Sequence, residues 1–495
     1  MTKTHNAVVI GANDNVAVAL CDIKAGESVS CTTAMAPIPA GHKIAIKPIA
    51  KGENIIKYDN PIGYSTAFIK PGEHVHTHNI KTNLSGILEY TYSQIMPSKS
   101  KAPAPATFQG YLRKNGQVGI RNEIWIINTV GCVNKIAEKI ASDANRRHKG
   151  RVDGIYTFVH PFGCSQLGDD HVYTQSTLKN LANHPNAAAV LVLGLGCENN
   201  HIDEFKKVLG TWDDTRVKFL NTQDVSDDIA AGLSIIDELV TYAEIFKREP
   251  VPVSKLVVGL KCGGSDGFSG ITANPLVGKL SDEIIRHGGT CLLTEVPEMF
   301  GAETLLMNRC INKDIFSKTV TLINDFKGYF IRHNQEIYEN PSPGNKDGGI
   351  TTLEEKSLGC TQKGGLSPVV DVLNYGETVT KPGLTLLQGP GNDIVAVTNL
   401  TAAGAHIILF TTGRGTPLGG PVPTVKISSN TALATNKPHW VDFDAGVLLH
   451  DKTGMEVLTA QFFDYIIRLA SGEVLARNEE NDYREISIFK DGVTL

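Results

Sequence analysis

Ile124–Cys132 (IWIINTVGC), Ile155–Cys164 (IYTFVHPFGC), Val190–Cys197 (VLVLGLGC) and Leu256–Cys262 (LVVGLKC) repeat one pattern, an apolar, strand-like run that closes on a cysteine. Small or polar residues follow each thiol: Val-Asn, Ser-Gln, Glu-Asn and Gly-Gly-Ser-Asp. Between the runs lie helical stretches at about 134–149, 174–184, 202–210 and 225–247. Strands alternating with helices are the rhythm of a parallel sheet covered on its faces. The cysteines then fall at the carboxyl ends of strands, where open α/β sheets bind ligands. Cys360 sits in a similar polar loop before Thr361 and Gln362. One such cysteine is usually a small buried hydrophobe. Five in the same context predict that at least three of Cys132, Cys164, Cys197, Cys262 and Cys360 line one polar site for a metal or substrate.

Working outward, the α/β pattern occupies two stretches. The first runs over 108–250 and ends at a boundary candidate, Glu249–Val253 (EPVPV). The second, 251–495, has strands near 255–260, 290–296, 384–387 and 406–410. Its helices lie near 275–288, 315–334 and 457–471. Within it 339–365, rich in Gly, Pro, Asn and Lys, is too long for an idle connection and reads as a functional loop.

The first 97 residues differ. Ile23–Val29, Ile38–Ile44, Ile49–Ile55 and Ile69–Val75 each place an apolar residue before a turn at glycine (Gly26, Gly41, Gly52, Gly72) and a new strand after it. Glycine at the turn permits positive φ, so the segment predicts a small all-β module of hairpins. Ser98–Thr107, charged and rich in Pro and Ala, reads as a linker.

The totals narrow the function. A chain of 495 residues should hold two to four domains, and a formal charge of −5 gives no basic footprint for nucleic acid or anionic membrane. The first residues, MTKTHNAVVIGANDN, lack the basic and apolar regions of a signal peptide, and no run approaches the ~20 apolar residues of a membrane span. Nine cysteines, an odd number, suggest reduced thiols and a cytoplasmic protein.

Gly72–Asn79 (GEHVHTHN) is the sharpest chemical motif. In a strand, residues at i, i+2 and i+4 share a face, which would align His74, His76 and His78. Neutral imidazoles so arranged suit Fe(2+), Mn(2+) or Zn(2+), with one of them free to act as a base. A solvated hairpin face is the plainer alternative. The glycine-rich loop Cys262–Pro275, with Gly263, Gly264, Ser265 and Asp266, suits an anion such as a carboxylate. Thr411–Gly420 is a comparable loop, in which Thr412 and Arg414 are carboxylate-binding candidates. Arg121 and Asn122 precede the first strand of the 108–250 unit, Arg121 being either another carboxylate binder or an ion-pair partner. His171 and Glu198 are acid/base candidates beside Cys164 and Cys197. Hydrolase chemistry has no motif.

Lined up, these segments resemble the altronate/galactarate dehydratase family of sugar-acid hydro-lyases, and within it the altronate branch. The resemblance rests on GEHVHTHN, GQVGIRNEIWIINTVGCVN, GCSQLGDDH, VLGLGCENN, CGGSDGFSGITANP, TEVPEMFGAE, YENPSPGNKDGGITTLEEKSLGCTQKGG, TTGRGTPLGGPVPTVKI and GVTL, which together run through nearly the whole chain. It implies an N-terminal β-clip (SAF) module ahead of the α/β part. It also implies conversion of D-altronate to 2-dehydro-3-deoxy-D-gluconate in hexuronate breakdown, with an iron(II) requirement. Such a reaction takes a proton from C2 and expels hydroxide from C3, so it needs a metal, an anion clamp and acid/base groups. Alternatives are the same chemistry on galactarate, an iron–sulfur cluster held by the cysteines, and a sugar-acid binding module without turnover. The site is expected where the β module docks on the α/β body, within one chain or across a homodimer.

Overall fold

The computed structural model describes residues 2–3, 6–29, 32–95, 103–450 and 453–495. A small β module precedes two α/β units. In the first unit four parallel strands run in the order Gly154–Thr157, Glu123–Asn128, Ala187–Gly194, Val217–Asn221. In the second, seven parallel strands run in the order Val369–Leu373, Gly383–Leu387, Thr290–Leu293, Val257–Cys262, Ile407–Thr412, Thr424–Ser428, Phe443–Asp444. The central strands are buried from end to end, as in Ala187–Gly194, because helices cover both faces and leave no polar side for alternation to mark.

The two sheets share an apolar layer. Trp125, Phe158 and Leu178 of the first unit pack in one cluster with Leu400, Phe410, Ile486 and Ile488 of the second. Helix Gly168–Ala182 lies along helix Asp393–Ala402 in the same direction, since His184 at the end of one bonds the carbonyl of Ala405 at the end of the other. The carboxyl edges of both sheets therefore open on the same side of the molecule.

Glu249–Val253, expected as a boundary, is largely strand. Arg248–Pro252 pairs antiparallel with Thr107–Leu112. It is the outer strand of that small sheet, where prolines without an N–H do no harm. Of the expected linker, residues 98–102 lie outside the described residues, and Thr107 already belongs to a strand.

In the β module the four turn glycines all adopt positive φ: 81° at Gly26, 82° at Gly41, 85° at Gly52 and 93° at Gly72. Each turn closes with the same bond, from Glu27, His42, Glu53 and Glu73 N–H to the carbonyl three residues earlier. The module docks through a buried ionic cluster. Lys43 Nζ reaches both oxygens of Glu355 (3.0 and 2.8 Å) and the carbonyl of Gly349 (2.7 Å), while Lys57 Nζ reaches Glu355 Oε1 at 2.7 Å. Burial opposes the Glu355 charge, but the two lysines outweigh it and hold the carboxyl well below its usual range.

Candidate functional site

Strand Val257–Cys262 delivers Cys262 to the carboxyl edge of the seven-stranded sheet, where Gly263 and Gly264 turn the chain. Glu298 arrives there from the short turn Val296–Met299, Lys356 from helix Leu353–Cys360, and Asp393 from the first turn of helix Asp393–Ala402. With Asn340, Ser342, Asn345 and Lys346 they line a cavity of about 500 Å³.

Its floor is a dense ionic network. Lys356 Nζ lies 2.8 Å from Glu298 and 3.0 Å from Asn340 Oδ1. Lys261 Nζ joins Glu295 (2.6 Å) to Asp393 (2.8 Å), and Lys363 Nζ lies 3.6 Å from Glu295. Three lysines thus face three carboxylates, so the network balances its charge, as burial requires. Burial pushes the Glu295 carboxyl up, with Glu298 adding to the rise. Burial pushes Glu298 the same way, but Lys356, Lys363 and Lys261 outweigh it and hold its carboxyl well below the usual range. Two thiols complete the floor: Cys262 Sγ is 2.9 Å from Lys363 Nζ, 3.1 Å from Glu298 Oε2 and 3.3 Å from Cys360 Sγ. Two carboxylates of the lining reach solvent: Glu339, which is exposed, and Asp393, with 40% of its side chain open.

A cluster of histidines borders this region. His42 Nε2 bonds the carbonyl of Asp347, the last residue of helix Pro343–Asp347, whose Pro343, Asn345 and Lys346 line the cavity. His42 Nδ1 lies 3.1 Å from His74 Nε2, and the His42 and His76 rings are 4.8 Å apart. One ring nitrogen from each of His42, His74 and His76 falls within 4.8 Å of the others. Burial, then neighbouring imidazoles, lowers His74 to about 3; burial, then Lys43 and His42, lowers His76 to about 4. Neutral rings keep lone pairs for a metal, and His76 Nδ1 is buried without a hydrogen-bond partner among the described residues. The donor set fits a divalent metal such as iron(II).

This trio differs from the expected one. The strand ends at Val75, and His76–Asn79 form a turn held by Asn79, so the alternation argument does not reach His78, which is exposed. Its place is taken by His42, just before strand Lys43–Ala45, which pairs with the His74 strand in the register Ile44↔His74, Lys43↔Val75. One further step of that register sets His42 opposite His76. The signal was the repeat itself, since His42 follows the second turn glycine.

The other expected residues scatter. Arg121 is buried and bidentate to Glu479 (2.7 and 2.9 Å), and Asn122 bonds Arg113 and the carbonyl of Ala243. Both lie at the amino end of their strand, far from any ligand edge, and serve packing. Gly263 and Gly264 line the cavity, but the Gly263 N–H is already bonded to Thr411 O. Asp266 is buried among Ser269, Ser429 and Asn430, where it shapes its own loop; burial raises its carboxyl. Ser265 is buried in the crevice between β module and body, its hydroxyl without a partner among the described residues. The Thr412 hydroxyl accepts from Gly415 N–H, and Arg414 is exposed beside Gly264. Glu198 accepts hydrogen bonds from the N–H groups of Leu195 and Gly196 and from the Thr129 hydroxyl. His171 is half-buried on helix Gly168–Ala182. The five cysteines divide: Cys262 and Cys360 meet under the cavity, while Cys132, Cys164 and Cys197 are exposed in the first α/β unit.

Sequence reasoning missed Glu298, Lys356 and Asp393. They are ordinary charged residues until the fold gathers them, and only Glu298 and Lys356 lay within stretches already singled out (TEVPEMFGAE, TTLEEKSLGC).

Three family models match in series: an altronate/galactarate dehydratase SAF domain over residues 5–83, a D-galactarate dehydratase/altronate hydrolase second domain over 110–244, and a D-galactarate/altronate dehydratase C-terminal domain over 253–494. The chain is 54% identical over 494 residues to altronate dehydratase of Escherichia coli (strain K12) and 52% identical over 495 residues to that of Bacillus subtilis (strain 168), each alignment covering 99% of both chains. It is 32% identical to galactarate dehydratase (L-threo-forming) of Escherichia coli (strain K12), covering 95% of this chain and 94% of that one.

Proposed function

The chain belongs to the altronate/galactarate dehydratase family, and from that premise we propose that it is a hydro-lyase removing water from D-altronate. The observation that carries this reading is the cavity at the carboxyl edge of the seven-stranded sheet, where ammonium and carboxylate groups converge on a volume suited to a six-carbon acid. The greater identity to altronate than to galactarate dehydratases supports the monocarboxylate as substrate.

Dehydration draws a proton from C2, builds negative charge on the carboxylate and expels hydroxide from C3. Lys356, fixed by Glu298 and Asn340, sits where a substrate carboxylate meets a cation that cannot move away. It stabilises the charge that grows as C2 loses its proton. Asp393, a partly open carboxylate at the wall held by Lys261, is placed to take that proton, and its Lys261 partner balances its charge. Lys346 lines the same cavity as an acid for the leaving hydroxide. Loss of water leaves an enol that becomes the 2-keto-3-deoxy acid.

His42, His74 and His76 would hold iron(II), with manganese(II) as the alternative. Bound there, the metal supplies Lewis-acid polarisation of substrate oxygens.

The test is formation of 2-keto acid from D-altronate by anaerobically purified protein with iron(II), against galactarate in parallel. A higher kcat/KM for D-altronate is expected. A folded, iron-loaded protein that dehydrates neither acid, or prefers galactarate, overturns the assignment.

A further inference from the structure

The carboxyl edge of the four-stranded sheet carries chemistry that the cavity does not use. Cys132, Cys164 and Cys197 follow three neighbouring parallel strands, so all three emerge on one edge. Their loops form one unit. Gly131 N–H bonds Phe162 O (2.9 Å), Asn200 N–H bonds Gly163 O (3.0 Å), and Ser165 N–H bonds Asn199 Oδ1 (2.9 Å). Ser165 holds φ 60°, a left-handed conformation that a non-glycine residue adopts at a cost, and it does so beside Cys164.

All three thiols are exposed, whereas Cys262, Cys291, Cys310 and Cys360 are buried. Cysteine is among the most buried residue types, and three exposed thiols on contiguous loops oppose that preference. The thiols sit in the loops that lead into the helices Asn134–Arg147, Gly168–Ala182 and Ile202–Leu209. In the same loop as Cys164, Gln166 is 4% exposed, and its Nε2 has no hydrogen-bond partner among the described residues.

We propose that Cys132, Cys164 and Cys197 are the three thiolate ligands of a cubane iron–sulfur cluster whose fourth iron faces solvent. A single tetrahedral ion would draw three sulfurs to about 3.8 Å from one another. Among the described residues, the ligand groups that close within 4.8 Å are the histidine trio and Cys262, Glu298 and Cys360. At least one pair of the exposed thiols stands further apart than that, a span for a larger cofactor and not for one ion. The open iron would take a hydroxyl or carboxylate oxygen of a small anion. This inference does not rest on the altronate reading, because cluster content is measured without substrate.

The full chain is reconstituted anaerobically with equal iron(II) and iron(III) and with sulfide, which together balance an oxidised cubane, then desalted and assayed for iron and sulfide. The expected result is about four sulfides per chain with a visible charge-transfer band that dithionite bleaches. Cys164→Ser and the triple serine variant should keep the far-UV spectrum and lose sulfide by about tenfold or more, while Cys21→Ser keeps it. His76→Ala should leave sulfide unchanged. Iron bound without sulfide, sulfide retained by the triple variant, or a disulfide among these cysteines that excludes iron would each overturn the proposal.

Discussion

Glu355→Gln isolates what holds the β module on the body. In the native protein one carboxylate serves two ammonium groups, Lys43 and Lys57, whose side chains are at most 1% exposed. The same carboxylate accepts Thr351 N–H at 2.8 Å and the Thr351 hydroxyl at 2.7 Å. The amide leaves two buried cations with no counter-charge, and breaking a buried pair this way costs about 3–5 kcal/mol. Spent on local opening, that energy lowers amide protection in the docked strand Lys43–Ala45 by about a hundredfold or more. Hydrogen exchange read by mass spectrometry measures it peptide by peptide. Lys43→Met is the informative control. It leaves Lys57 and Glu355 as a balanced pair and removes a cation that burial has already lowered to about 8. Its cost reduces to the orphaned Gly349 carbonyl, about tenfold in protection. Replacing Lys43, Lys57 and Glu355 together by apolar residues should recover most of the loss. If Glu355→Gln exchanges within about threefold of the native protein, or if Lys43→Met matches it, the cluster does not hold the module.

Other outcomes follow from the same geometry. His42→Ala and His76→Ala should each lose about tenfold or more in iron affinity while His78→Ala keeps it, measured by metal analysis after dialysis. Lys356→Met should lower kcat for D-altronate by about a hundredfold or more with a smaller change in KM, because its charge matters most as the enediolate forms. Burial raises Asp442 to about 6 from its ordinary 3.8. Between those values the folded chain keeps a proton that the unfolded chain has lost, so stability falls as pH rises, by up to about 1.4 kcal/mol per pH unit. Asp442→Asn should flatten that slope in urea midpoints, and an unchanged slope would refute the assignment.

Much of this architecture was legible because its signals are local. A turn glycine declares its handedness at Gly26, Gly41, Gly52 and Gly72, and an apolar run such as Val190–Leu193 declares burial. Helix Asp393–Ala402 escaped notice for the opposite reason. Val395–Ala402 are buried without interruption, so no polar face marks a helical period, and the segment reads as neither strand nor helix. The site was legible in its chemistry and not in its membership. Three histidines in five residues pointed to a metal, yet His78 turns away and His42, thirty-two residues before His74, takes its place. Arg121 looked like an anion clamp because a sequence shows the charge and hides Glu479, which neutralises it. Asp393 and Lys356 gave no signal, since what distinguishes them is the cavity they share.

The four turn glycines hold an asymmetry that bears on how this module can change over generations. A side chain at Gly26 or Gly52 would meet open space, and only handedness asks for glycine there. At Gly41 the same addition would press on the carbonyl of Gly348, 3.1 Å away, and at Gly72 it would collide with the backbone of Thr33. Four copies that look interchangeable on paper are therefore under two different kinds of selection. Asparagine, which tolerates the left-handed region better than most side chains, can drift into the first and third copies at a backbone cost alone. The second and fourth are anchored by neighbours that arrived from elsewhere in the chain, and they will stay glycine for as long as the module keeps its seat.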